Sequence, residues 1–176
     1  MVATVARGSA GFTLLELMTV LAILGILVSV AIPSFGYMAA NTKVKSASTE
    51  LYLALIRARS ESVKRNRAVS ISANAGGWQE GWQIIADGNN DGDFADVATN
   101  NDRLVNEQGA LKRVSITEGS GNTSIVFRPT GRICTTCLAD ADPPALQVTS
   151  DDKDYKLQRC ISTDLTGRPY IKPEGC

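Results

Sequence analysis

Phe12-Thr13-Leu14-Leu15-Glu16-Leu17-Met18-Thr19-Val20-Leu21 opens an apolar run that continues to Ile32, and Glu16 is the one strong charge inside it. At about 1.5 Å of rise per residue, a helix over this run covers roughly the ~30 Å hydrocarbon core of a bilayer. An isolated carboxylate in such a helix costs on the order of a few kcal/mol, so keeping one implies an opposite charge or polar partner inside an assembly. A secretory signal is the plainer alternative. Its apolar core is usually on the order of 7 to 15 residues and ends at a small-residue cleavage site. Here Pro33 and a continuing helical pattern follow instead. The run predicts a single transmembrane helix at 12–32 that leads into the rest of the chain.

Gly11-Phe12-Thr13-Leu14-Leu15-Glu16-Leu17, preceded by a short leader containing Arg7, resembles the class III signal of type IV pilins and type II secretion pseudopilins. The resemblance implies a leader at 1–11, cut by a prepilin peptidase between Gly11 and Phe12, with methylation of the new Phe12 amine. It also implies that Glu16 pairs with the N-terminal amine of a neighbouring subunit in a growing filament. Two buried opposite charges offset each other's desolvation only when close and well hydrogen-bonded, so each would be costly alone. Pro33 matches the helix-kinking proline of that family, since proline removes an N–H and crowds the preceding turn.

Composition narrows the remaining choices. The chain has 176 residues, 44% of them hydrophobic, and what the span leaves over suffices for one compact domain plus a helix. Without residues 1–11 it carries 17 Lys plus Arg against 18 Asp plus Glu, so no bulk electrostatic attraction to nucleic acid is expected. There is no His, which removes imidazole catalysis and the commonest zinc ligand. The sequence also lacks a G-x-S-x-G elbow and a phosphate-cradling glycine loop. Asp91 and Asp93 are paired carboxylates, but on a turn open to solvent. No catalytic residue and no cofactor is expected, and the chain reads as a non-enzyme.

Past Pro33 the helical pattern continues through 33–67. Val44, Ala47, Leu51, Leu55, Ala58 and Ser62 recur at spacings of three or four, interleaved with Lys43, Lys45, Glu50, Arg57, Arg59, Glu61 and Lys64. The stripe is too short and too rich in Ala and Ser for a free coiled coil, so it is expected to pack on the protein's own sheet. Residues 68–176 read as β. Short runs rich in Val, Ile, Leu and aromatics lie at Val69–Ala73, Gly81–Ala86, Arg103–Glu107, Leu111–Thr117, Ser124–Arg128, Leu146–Thr149, Lys156–Thr163 and Arg168–Lys172, separated by Gly, Asn, Asp and Pro. The fold class is α+β: a long N-terminal helix packed on a mainly antiparallel, pilin-like β-sheet domain.

Asp87-Gly88-Asn89-Asn90-Asp91-Gly92 places Asp87, Asn89, Asp91 and Gly92 at positions 1, 3, 5 and 6 of an EF-hand loop. Position 12 would be Ala98, which supplies no carboxylate, and no helices flank the segment. Asp, Asn and Gly are also what tight turns require, so a structural turn is favoured and Asp87, Asn89 and Asp91 stand as a weaker calcium candidate. Trp78 and Trp82 beside a Gly-rich turn fit core plugs or hairpin pairs better than ligand-stacking platforms.

Cys134, Cys137, Cys160 and Cys176 do not form two C-x-x-C units, and Cys134-Thr135-Thr136-Cys137 opens no thioredoxin-like βαβ unit, so neither a zinc site nor a redox motif is favoured. In a periplasmic domain disulfides are the default. Of the three pairings, Cys134 with Cys137 and Cys160 with Cys176 is preferred.

Taken together, the long helix, the Asp-rich turn and the C-terminal Gly167-Arg168 resemble the H-type pseudopilin and FimT/FimU-type minor-pilin (GspH/FimT-like) family over essentially the whole chain. The resemblance implies a minor pilin or pseudopilin that assembles into, or primes, a type IV pilus or type II secretion pseudopilus. The implied partners are the prepilin peptidase, other minor and major pilins or pseudopilins, the inner-membrane assembly platform and the lipid bilayer. The implied location is the inner membrane, with a periplasmic domain at the tip or base of the filament. A DNA-binding competence minor pilin is the alternative, through a patch of Arg159, Arg168 and Lys172 with Tyr170. Competence members carry Gly-Arg-x-Arg; here Gly167-Arg168-Pro169-Tyr170 has Tyr and Gly131-Arg132-Ile133-Cys134 has Cys at the last place, which argues against nucleic acid as a partner. A strand edge protected by Lys, Arg and Pro is the plainer account of that patch.

Overall fold

The computed structural model describes residues 12–94, 101–134 and 143–176, with side chains left out at 30–34. The chain divides into two compact units, Met1–Met38 and Ala39–Cys176. A single helix, α1 (Leu14–Arg65), contributes to both.

In the first unit α1 starts at Leu14 rather than at Phe12, because Thr13 serves as its N-cap. The Glu16 N–H donates to Thr13 Oγ1 at 3.2 Å, satisfying one of the donors a helix start leaves without partners. Thr19 and Ser29 turn their hydroxyls back to the carbonyls of Glu16 and Ile26, at 2.8 and 2.7 Å, so these two hydroxyls are satisfied within the helix. The helix continues through Pro33, which therefore does not end it.

In the second unit the predicted stripe faces inward: Val44, Ala47, Leu51, Leu55, Ala58 and Ser62 are all buried. The helix ends at Arg65. Asn66 takes the left-handed conformation (φ 51°), the Arg67 N–H donates to the Ser62 carbonyl, and the Asn66 N–H donates to Val63, each at 3.2 Å. This is a Schellman cap with Asn in the usual glycine position, so residues 66–67, expected as helix, form its stop.

Eight strands follow among the described residues: β1 (Val69–Ala73), β2 (Trp82–Ala86), β3 (Arg103–Gln108), β4 (Val114–Glu118), β5 (Ser124–Phe127), β6 (Ala145–Ser150), β7 (Gln158–Thr163) and β8 (Pro169–Lys172). All eight expected segments contain a strand; β1 has the expected bounds and the other seven have shifted ends. Leu111 is outside β4: its N–H donates to the Gln79 carbonyl and Arg113 sits at φ 67°, which breaks the extended run. Gly81, at φ 97°, precedes β2 and closes a 3-10 turn at Trp78–Glu80.

The strands form two antiparallel sheets, β3-β2-β1-β5 and β4-β6-β7-β8. In the first, Ile84, Ile71 and Ile125 are paired across neighbouring strands, as are Ala86, Val69 and Phe127. In the second, Ile116 faces Val148, and Leu146, Ile161 and Ile171 line up. These rows and the inner stripe of α1 share one core. Each fully buried Leu or Ile there contributes about 1.5–3 kcal/mol. Trp78 and Trp82 are core residues, and Trp78 Nε1 donates to the Asn122 carbonyl at 3.0 Å.

Arg59 locks the helix to turns from both sheets. Its Nε donates to the Gly131 carbonyl at 3.1 Å and its Nη2 to the Thr166 carbonyl at 3.3 Å. The two turns touch so closely that a Cβ on Gly167 (φ +80°) would lie 2.1 Å from the Gly131 oxygen.

Candidate functional site

The N-terminal stretch presents an apolar surface on every side. Phe12, Leu14, Leu15, Leu17, Met18, Val20, Leu21, Ile23, Leu24, Ile26, Leu27 and Val28 are all exposed, and Glu16 is the single charge among them. A helix apolar all round belongs in a large core or a membrane rather than in water. Among the described residues no helix is long and apolar enough to cross a membrane; the described side chains of the apolar run stop at Ser29. Glu16 sits on the first turn, where a carboxylate meets the positive end of the helix dipole. The expected cleavage residue Gly11 lies outside the described residues, as do Ala98 and Cys137.

The Asp-rich turn is built around one buried carboxylate. Asp87 is 2% exposed; its Oδ1 accepts the Asn90 N–H and its Oδ2 the Gly92 N–H at 3.1 Å. Asn90 (φ 71°) and Gly92 (φ 81°) provide the left-handed bends. Asn89 and Asp91 are exposed and bond to each other, Nδ2 to Oδ2 at 2.6 Å, while Asp87 is held by the loop backbone. Among the described residues no group of three or more His, Cys, Asp or Glu is placed to hold a metal ion. Sequence reasoning missed Asp102, which enters the neck of this loop and accepts the Gly88 N–H at 2.8 Å. Its only sequence signal was a carboxylate directly before a strand.

Cys160 and Cys176 are joined, with Cα atoms 5.0 Å apart, tying the last residue to β7. Cys134 is also disulfide-bonded and buried, its N–H donating to the Val126 carbonyl at 2.8 Å.

One of the basic candidates, Arg159, stands apart from the others. Tyr170 and Lys172 share a face of β8, with Lys172 Nζ 5.5 Å from the Tyr170 ring centroid. Arg159 alternates with Cys160, the register partner of Lys172, and so lies on the opposite face of the sheet. Arg168 stands on a turn organised by Asp164, whose Oδ1 accepts from the backbone N–H groups of Thr166 and Arg168, each at 2.9 Å, and from Thr166 Oγ1 at 2.6 Å. These bonds, led by that from the Thr166 hydroxyl, hold the Asp164 carboxyl below the usual carboxylate range.

The profile of the type II transport protein GspH family matches residues 47–167, more than half of the chain. The chain belongs to the GspH family. A second profile, the prokaryotic N-terminal methylation motif, matches residues 6–32. No curated protein sequence is significantly similar. Among solved structures, the type IV minor pilin FimU of Pseudomonas aeruginosa superposes with a TM-score of 0.58 at 22% identity, over 75% of this chain and 90% of that one. The minor pseudopilin EpsH from the type 2 secretion system of Vibrio cholerae superposes with a TM-score of 0.53 at 11% identity, over 74% and 97%. At such identities the likeness speaks for the fold, a long helix on antiparallel sheets. With its methylation motif, this GspH-family chain is a minor pilin or pseudopilin of a type IV pilus or type II secretion system.

Proposed function

We propose that the chain is cut by a prepilin peptidase between Gly11 and Phe12 and methylated on Phe12. Residues 12–32 then hold it in the inner membrane as a single pass, with 68–176 in the periplasm. From there it enters the tip or base of a filament of other pilins or pseudopilins, drawn in through an inner-membrane assembly platform. The observation that carries this reading is the apolar surface around Phe12–Val28, in which Glu16 is the single charge. A charge there is retained at a cost of a few kcal/mol unless a partner offsets it, and the Phe12 amine of a neighbour is a cation of matching reach. The test is Glu16→Ala in cells lacking the native gene. The variant is expected in the membrane fraction at wild-type level and absent from sheared filaments; normal incorporation would overturn the ion-pair role.

A further inference from the structure

We infer that the loop Asp87–Gly92 and Asp102 together form a calcium site, in which Asp102 supplies the carboxylate that Ala98 cannot. Two side chains of the neck are buried carboxylates: Asp87 is 2% exposed and Asp102 5%. They are brought together because Ala86 and Arg103 are register partners on β2 and β3, so the residues that follow and precede them face each other across the strand ends. The neck is closed tightly, for a Cβ on Gly88 would lie 1.8 Å from the Asn101 carbonyl oxygen, and Asn101 itself takes φ 59°.

Asp102 carries the inference. Its Oδ1 accepts the Gly88 N–H at 2.8 Å, which seats the carboxylate against the first peptide of the loop. Its Oδ2 is fully buried and has no hydrogen-bond partner among the described residues. Among the described residues no basic side chain pairs with either carboxylate. A desolvated anion without a counter-charge is strongly destabilising, and a buried orphan oxygen adds its own desolvation cost. A hard cation with oxygen ligands removes both penalties.

The lone pairs permit it. A carboxylate has about four acceptor sites; Asp87 uses two on the Asn90 and Gly92 N–H groups and Asp102 one on Gly88. Gly92 at φ 81° makes the sharp bend that a calcium loop needs at its sixth position. Calcium accepts irregular shells of about 6–8 oxygens, so the remaining places fall to loop oxygens and water, whereas magnesium requires a near-ideal octahedron. With two anionic ligands the affinity belongs to the weak class, about 10⁻⁴–10⁻³ M.

The experiment is calorimetric titration of the full chain in detergent with calcium chloride, with magnesium chloride in parallel, together with thermal unfolding in calcium or chelator. The expected result is a saturable one-to-one calcium heat, a higher Tm in calcium, and at least tenfold weaker binding of magnesium. Asp102→Asn, which keeps the oxygen that takes the Gly88 N–H, should weaken calcium at least tenfold. Asp164→Asn, on an exposed turn of the other sheet, should not. No heat and no Tm shift in the wild type at millimolar calcium overturns the site. Calcium binding that Asp102→Asn leaves unchanged overturns the role of Asp102. Should that variant fail to fold, the wild-type heat, Tm shift and preference over magnesium decide alone.

Discussion

Replacing Gly167 by Ala should disturb the joint that fastens α1 to both sheets. Gly167 has φ +80°, a conformation that costs an L-residue about 1–2 kcal/mol. A Cβ there would also lie 2.1 Å from the Gly131 carbonyl oxygen, a backbone atom that cannot swing aside like a side-chain end. Forcing extra volume into a packed site costs typically about 1–3 kcal/mol. The total is about 2–5 kcal/mol, because moving either turn also strains the Arg59 bonds to Gly131 and Thr166. Gly121 isolates the two contributions. It has nearly the same backbone (φ +76°) with nothing within 4 Å of an added Cβ, so Gly121→Ala should cost only about 1–2 kcal/mol. Urea unfolding followed by tryptophan fluorescence is suited to the comparison, since Trp78 and Trp82 are both buried in this unit. With a urea slope of about 1–3 kcal/mol per molar, the Gly167→Ala midpoint should fall clearly below that of Gly121→Ala. Equal midpoints would refute the close-approach reasoning and leave only the backbone conformation.

Two further outcomes concern charge and covalent closure. The Glu61 carboxyl is held below the usual carboxylate range, chiefly by the hydrogen bond from Arg65, with Lys64 and Arg57 adding to it. A depressed folded value means the contribution is complete above the unfolded value and is lost as the pH falls through the folded one. The pair is partly exposed, so Glu61→Gln should cost on the order of 1 kcal/mol at pH 7. Unfolding curves of wild type and variant should converge in acid, and a gap that persists there would contradict the ion pair. The Cys160–Cys176 bridge spans a sequence separation of 16, so the double Cys→Ser variant should lose about 2–4 kcal/mol in the same urea assay. An unchanged midpoint would show that β8 is held by its ladder alone.

The inner stripe of α1 was legible because its partners lie one turn away, and the 3.6-residue period marks Val44, Ala47, Leu51, Leu55, Ala58 and Ser62 without reference to anything else. The strands were legible for the same reason, through alternation and the Gly, Asn and Asp between them. Their ends were less so: Leu111 looks like strand, but a bond to Gln79 and the left-handed Arg113 take the chain out of extension. The division into two sheets was not legible at all. β4 leaves for the second sheet and β5 returns to the first, a choice set by which apolar rows meet under the helix. The calcium candidates show the same boundary. The spacing of Asp87, Asn89 and Asp91 was visible, whereas their actual partners, and the arrival of Asp102 at the loop neck, were not.

By itself, then, the sequence determined the apolar N-terminal helix with its single carboxylate, the N-terminal methylation motif over residues 6–32 and the face that α1 buries. Those properties follow from residue type and period along one segment. The tertiary structure alone decided which strands pair, that the Gly131 and Gly167 turns meet under Arg59, and that Asp102 closes the Asp87 loop with an oxygen left over. Each of those depends on contacts between residues far apart in the chain, whose closeness is settled by packing of the shared core rather than by any local preference.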